Sequence, residues 1–264
     1  MRSPALLFDP VLKVPLLKSN ITCVLLDIEG TSTHIDFVYE VLFPYARAHL
    51  KAFLDGHSSD EDVRADVASL RETHAADERE RLNPPEWREE SVEEQLESVV
   101  AYIHWLMDSD RKLTPLKSIQ GKVWQSGYRT GELRGHVFPD VPRSFVRWHR
   151  QKRDISIFSS GSVLAQKLLF ANTEAGDLTR YISGYFDTQM GAKLEAKSYR
   201  LIADACGRPA SEIMFISDVI AELDAAHLAS MHTLLCLRPG NPHPSPEPGH
   251  PTIHSFDELF PQSP

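Results

Sequence analysis

The chain has 264 residues, 42% hydrophobic and 25% charged, with a formal net charge of −9. That apolar fraction supports a packed core and excludes global disorder, and the length fits one large domain or a core with a smaller cap. The negative balance excludes general nucleic-acid binding; an anionic ligand must be drawn in locally, by a metal ion, a lysine or a helix N-terminus. No stretch reaches the length of a membrane span, and residues 1–19 lack the apolar run and small-residue cleavage site of a signal peptide. Cys23, Cys206 and Cys236 lack metal-ligand spacing and read as buried thiols in a reducing compartment. A soluble cytosolic protein is expected, with nuclear access open to a chain of 29.8 kDa.

Residues 1–20 read as a loosely structured lead-in. Ile21 to Leu26 is an apolar, β-branched run, the pattern of a strand buried on both faces of a parallel sheet. It breaks into Asp27, Ile28, Glu29, Gly30 and Thr31. From about Asp36 to about Arg134 the period is helical. Phe37, Val41 and Tyr45 form one stripe, and Val63, Val67, Leu70 and His74 a second. Ser91 with Glu94 makes a capping box before Val92, Leu96, Val99, Ile103 and Leu106. Thr114-Pro115 reads as an N-cap with a first-turn proline, opening a helix through Trp124. Residues 76–90, charged and holding two prolines, read as an exposed connection. The expected division is a core of 1–35 and 135–264 with a helical cap, 36–134, inserted in it.

The α/β pattern then returns. Val141 to Gln151 reads as a helix and Ile155 to Phe158 as a strand ending in Ser159-Ser160-Gly161-Ser162. Val163 to Phe170 is helical, Tyr181 to Phe186 a further strand, and Lys193 to Cys206 a helix. Ile213 to Ile216 is a strand ending at Ser217-Asp218, and Thr233 to Leu237 is the last strand. Pro239 to Pro251, rich in proline and histidine, reads as a surface loop. Strand-then-helix order predicts an α/β fold, a Rossmann-like parallel sheet with helices on both faces.

Three strands thus end in polar clusters, and such ends converge on the edge where open α/β sheets bind ligands. An aspartate there can act as a nucleophile or as a hard oxygen ligand for Mg²⁺. By itself the Asp27-x-Glu29 pair is a weak pattern, equally a polar strand-to-loop turn. Ser162 is equally a helix cap. Lys193, read as sitting at a helix start, opposes the helix dipole there, so a role outside the helix is expected.

Asp27-Ile28-Glu29-Gly30-Thr31 after an apolar strand resembles the first signature of the haloacid-dehalogenase-like phosphohydrolases. Glu at the second acidic position, with Val41-Leu42-Phe43-Pro44-Tyr45 following, is similar to one branch, the enolase-phosphatases E1 (acireductone synthases). Ser159-Ser160-Gly161-Ser162 resembles the phosphate-binding serine turn. Ser217-Asp218-Val219 with Glu222 resembles the acidic metal-binding signature. Asp110-Arg111-Lys112, Leu116-Lys117, Gln120-Gly121, Trp124 and Arg238-Pro239-Gly240-Asn241 also resemble the branch, so the likeness runs from about Ile21 to Leu259. His34, Ala192, Ser217 and residues 76–90 depart from its pattern; His34 reads as a loop residue.

The resemblance implies Asp27 as nucleophile, Glu29 as proton carrier, and Ser159, Ser160 and Lys193 as substrate-binding residues. It implies one Mg²⁺ per subunit, held by Asp27, Asp218 and the backbone carbonyl of Glu29. It further implies a monomer that enolises 2,3-diketo-5-methylthiopentyl-1-phosphate and then dephosphorylates it, through an aspartyl phosphate, to 1,2-dihydroxy-3-keto-5-methylthiopentene in methionine salvage. The enolisation base is left open between Glu29 and a cap residue. Two other readings are a phosphatase acting on another small phosphate ester and a non-catalytic binder; the full set of phosphoryl-transfer residues weighs against the second.

Overall fold

A computed structural model describes residues 20–241 and 249–261. The expected lead-in, apart from Asn20, and residues 242–248 of the proline- and histidine-rich segment lie outside them. Six strands form one sheet: β1 (Cys23–Leu26), β2 (Asp154–Phe158), β3 (Gly184–Phe186), β4 (Ile213–Ser217), β5 (His232–Cys236) and β6 (Thr252–Ile253). Their order is β3-β2-β1-β4-β5-β6 and every pairing is parallel. β1 is central and buried along its whole length. Its side chains alternate between two apolar interiors, as the period of a strand requires. Val24 and Leu26 join a large cluster with Phe145 and Trp148 of α5 (Asp140–Arg150) and Phe170 of α6 (Val163–Ala171). Cys23 and Leu25 join a smaller one with Tyr199 and Ile202 of α7 (Ala196–Cys206) and Leu223 of α8 (Ile220–Leu228).

Between β1 and α5 the chain forms a π-helical turn, Phe37–Leu42, and four helices: α1 (Phe43–Gly56), α2 (Glu61–Arg79), α3 (Val92–Asp108) and α4 (Thr114–Thr130). The large apolar cluster continues from the sheet into these helices through Leu116, Ile119 and Trp124. Trp124 also donates its indole N–H to the carbonyl of Leu42 at 2.7 Å. α4 packs on α1, α2 and α6.

Several local expectations change. The Phe37–Val41–Tyr45 stripe assumed an α-helical period, but a π turn closes i to i+5. Phe37 and Leu42 are the buried pair, and Val41 is 40% exposed. α2 runs on to Arg79, past the expected break at 76, because buried Asp77 has partners: the Tyr102 hydroxyl at 2.6 Å and the Arg111 guanidinium at 3.2 Å. Ser91 caps α3 by accepting from the Glu94 N–H at 3.2 Å, yet Val92 is 81% exposed, in a first turn with nothing packed over it. The N-cap of α4 is Leu113, with Thr114 its first residue. The Tyr181–Phe186 strand is shortened to Gly184–Phe186 behind a 3-10 turn, Thr179–Tyr181. α8 and β6 have no counterpart among the expected elements. β6 is drawn onto the sheet edge by the Leu235 and Leu237 N–H groups, which donate to Pro251 and Ile253 carbonyls at 2.9 and 2.8 Å. Asn241 and His250 are consequently buried, against the surface-loop expectation. Among the described residues no helix is long and apolar enough to cross a membrane.

Candidate active site

β1 delivers Asp27 to the carboxyl edge of the sheet, where the chain must turn at once. The Ile28 carbonyl accepts from the N–H groups of Thr31, Ser32 and Thr33 at 3.2, 2.8 and 2.9 Å. Gly30 sits at φ +72°, and a Cβ there would collide with the Asp218 carboxylate, so this turn requires glycine. β4, hydrogen-bonded to β1, delivers Ser217 and Asp218 beside it. β2, on the other flank, delivers Ser159 and Ser160. The three expected strand ends are therefore adjacent in space.

Buried Asp27 lies at the centre. Lys193 Nζ is 2.6 Å from Asp27 Oδ1 and 2.7 Å from Glu222 Oε2. The Ser217 hydroxyl lies 3.3 Å from Asp27 Oδ2 and 3.0 Å from Glu222 Oε2. The Ser159 hydroxyl donates to the Glu29 carboxylate at 3.2 Å and accepts from the Gly161 N–H at 3.0 Å. Ser162 is a cap, accepting from the Ala165 N–H at 3.3 Å. Lys193 is not at a helix start: α7 begins at Ala196. Its turn is fixed instead by the Tyr199 hydroxyl, which donates to the Lys193 carbonyl at 2.7 Å, so tertiary contact rather than the helix dipole explains its place.

A cavity of about 830 Å³ opens over these groups, walled by Val38, Leu42, Phe43, Leu116 and Trp124 from the helical side. Burial, reinforced by the charge of Asp27, pushes the Asp218 carboxyl up to about 7 and Glu222 likewise to about 7. The same two causes raise Glu29 above the usual carboxylate range. Burial works against the Lys193 ammonium, but Asp27 and Glu222 together hold it above its ordinary range. These are the shifts of a crowded anionic pocket.

The donors present fit Mg²⁺, which takes carboxylate and carbonyl oxygens. Asp218 Oδ1 is buried without a hydrogen-bond partner, and a divalent cation beside it would relieve the repulsion that raises Asp218 and Glu29. Among the described residues no three His, Cys, Asp or Glu side chains are grouped to hold a metal; the expected set needs only two carboxylates and a backbone carbonyl.

Three side chains near the site were absent from the expected roles. Glu222 pairs with Lys193, and its place in the acidic signature was the available signal. Asn241 donates to the Gly30 carbonyl at 2.7 Å and lies 3.4 Å from Asp218 Oδ2. Lys117, from α4, donates to the Ser160 carbonyl at 2.9 Å. Lys117 and Asn241 stand in Leu116-Lys117 and Arg238-Pro239-Gly240-Asn241, which resemble the family branch, but no local pattern shows these contacts, because the partners are distant in sequence. His34 does not line the cavity; its Nδ1 lies 3.1 Å from the Asp36 carboxylate.

A family model described as haloacid dehalogenase-like hydrolase matches residues 21–230. The enolase-phosphatase E1 of Synechococcus elongatus is 50% identical over 241 residues, covering 91% of this chain and 98% of that one. The enolase-phosphatase E1 of Pseudomonas aeruginosa is 44% identical over 242 residues, covering 91% and 99%. Among solved structures, the UTR4 protein of Saccharomyces cerevisiae superposes with a TM-score of 0.74 at 33% identity, covering 90% of this chain and all of that one. With this site at the carboxyl edge of such a sheet, the chain belongs to the haloacid dehalogenase-like hydrolases and, within them, to the enolase-phosphatase E1 family.

Proposed function

We propose that the chain is a bifunctional, Mg²⁺-dependent enolase-phosphatase of methionine salvage. It enolises 2,3-diketo-5-methylthiopentyl-1-phosphate and then dephosphorylates the product to 1,2-dihydroxy-3-keto-5-methylthiopentene. The observation that carries this reading is a buried Asp27 flanked by Lys193, Glu29 and Asp218 at the floor of one cavity, in a chain 50% identical to an enolase-phosphatase E1.

Asp27, Asp218 and the carbonyl of Glu29 would hold one Mg²⁺, which supplies positive charge against the repulsion between a phosphate dianion and the Asp27 carboxylate. Asp27 attacks phosphorus in line and becomes an aspartyl phosphate. Glu29, whose raised pKa favours the protonated form, donates to the leaving oxygen and afterwards takes a proton from the attacking water. Ser159, Ser160 and Lys193 hold the transferring oxygens. The helical insert, 36–134, acts as a cap on the core of 1–35 and 135–264; its apolar wall takes the methylthio tail and excludes water. The free thiols Cys23, Cys206 and Cys236 suit a reducing cytosol, and the chain works as a monomer.

The test supplies the diketo phosphate with Mg²⁺ and follows enediol absorbance and free phosphate together. Absorbance rising before phosphate is the expected result. Phosphate release from other esters while the diketo phosphate is ignored would leave only a phosphatase.

A further inference from the structure

The enolisation step needs a base at the carbon that bears the phosphate, and most proton carriers of the cavity are already committed. Lys193 is pinned between Asp27 and Glu222. Asp27 and Asp218 would hold the Mg²⁺, and Asp27 is also the proposed nucleophile. Glu29 accepts from the Ser159 hydroxyl at 3.2 Å and, in the reading above, serves the phosphoryl step. Arg47 and Arg111 cannot give up a proton, and Lys112 stands in solvent beside Asp110.

Lys117 is different. Its Nζ reaches from α4 to the Ser160 carbonyl at 2.9 Å and the Thr188 hydroxyl at 3.4 Å, two neutral acceptors on the core. Among the described residues it forms no ion pair. Burial lowers its pKa, with Asp187 and Lys112 acting in opposite senses, so its neutral amine is more accessible than that of an ordinary lysine. A phosphate seated on the serine turn brings its esterified carbon to that same turn.

We propose that Lys117 is the base that takes the proton from the phosphorylated carbon during enolisation, an inference that rests on the enolase-phosphatase reading above. The Nζ lone pair takes the proton, and the C–H electron pair becomes the carbon–carbon double bond. The adjacent carbonyl oxygen takes the negative charge and is then protonated by the Lys117 ammonium. The net change is an isomerisation, with nothing oxidised and no group lost.

The experiment compares wild type, Lys117→Ala and Lys117→Arg for two Mg²⁺-dependent rates: enediol formation from the diketo phosphate, and phosphate release from an aryl phosphate, which needs no enolisation. Enediol formation is expected to fall by about 10²–10⁴-fold in both variants, because a guanidinium accepts no proton, while aryl phosphate hydrolysis falls by less than about tenfold. Added methylamine should restore part of the lost enediol rate to Lys117→Ala, which a purely structural role would not allow. Should Lys117→Ala fail to fold, Lys117→Arg carries the test. Enediol formation close to wild type, or an equal fall in both rates without amine rescue, would overturn the assignment. If wild type itself forms no enediol while hydrolysing the aryl ester, the enolase reading is what fails, and the role of Lys117 falls with it.

Discussion

Asp27 is a carboxylate in an interior that would reject an unpaired charge, and Lys193 at 2.6 Å is its compensation. Asp27→Asn removes the proposed nucleophile but keeps the shape and the Ser217 contact. Turnover should fall by at least ~10³-fold with the melting transition near that of wild type; near-normal phosphate release would refute the nucleophile role. Asp218 carries a prediction about pH. Its carboxyl, raised to about 7 by burial and by Asp27, binds its proton more tightly folded than unfolded. That contribution to stability is fully present below about pH 4 and is lost as pH rises through about 7. In metal-free protein, Asp218→Asn should therefore raise stability at pH 8 by about 1–3 kcal/mol and leave it little changed at pH 4. Thermal melts at the two pH values measure the difference, and equal effects at both would contradict the raised pKa.

At the scale of elements, the site is assembled from segments that only the sheet brings together. The segment after β5 returns to the turn after β1. Arg238 Nε donates to the Thr31 carbonyl at 2.9 Å, its Nη1 meets Asp140 at 2.8 Å, and Asn241 ties Gly30 and Asp218 together. This arrangement makes Asn241 a positioning residue for the Asp218 carboxylate. Asn241→Ala should raise the Mg²⁺ concentration for half-maximal activity by about 10–100-fold, the usual scale for losing an outer support of a metal ligand. A Mg²⁺ titration of activity, paired with calorimetric Mg²⁺ binding without substrate, checks it; unchanged binding would show that Asn241 serves the turn alone. The π-helical turn Phe37–Leu42 belongs to this scale too. It leads from the loop after β1 into α1, and its Val38 and Leu42 line the cavity.

For the whole molecule, the proposed Mg²⁺ site is assembled from the ends of β1 and β4, so the ion would bind the folded chain only. Saturating Mg²⁺ should stabilise the protein by about 2.7 kcal/mol at a hundred times its dissociation constant, or roughly 5–11 °C at 2–4 °C per kcal/mol. The shift should disappear in Asp218→Ala, as a thermal-shift assay with and without chelator will record. What the sequence by itself determined is the central strand, the alternation of strands and helices, the helical insertion and the strand ends that bear Asp27, Glu29, Ser159, Ser160 and Asp218. These are legible because hydrophobic period and strand-end chemistry are local. The tertiary structure alone decided the rest. Helix α2 continues through a charged stretch because Tyr102 and Arg111 satisfy Asp77, and β6 forms because an open sheet edge takes it. Lys193 is held at the site by Asp27 and Glu222 rather than by a helix end, and Lys117 and Asn241 reach the site from positions 43 and 23 residues away in sequence from the groups they touch. A contact between residues far apart in the chain leaves no trace in either one's neighbours, so only the folded arrangement reveals it.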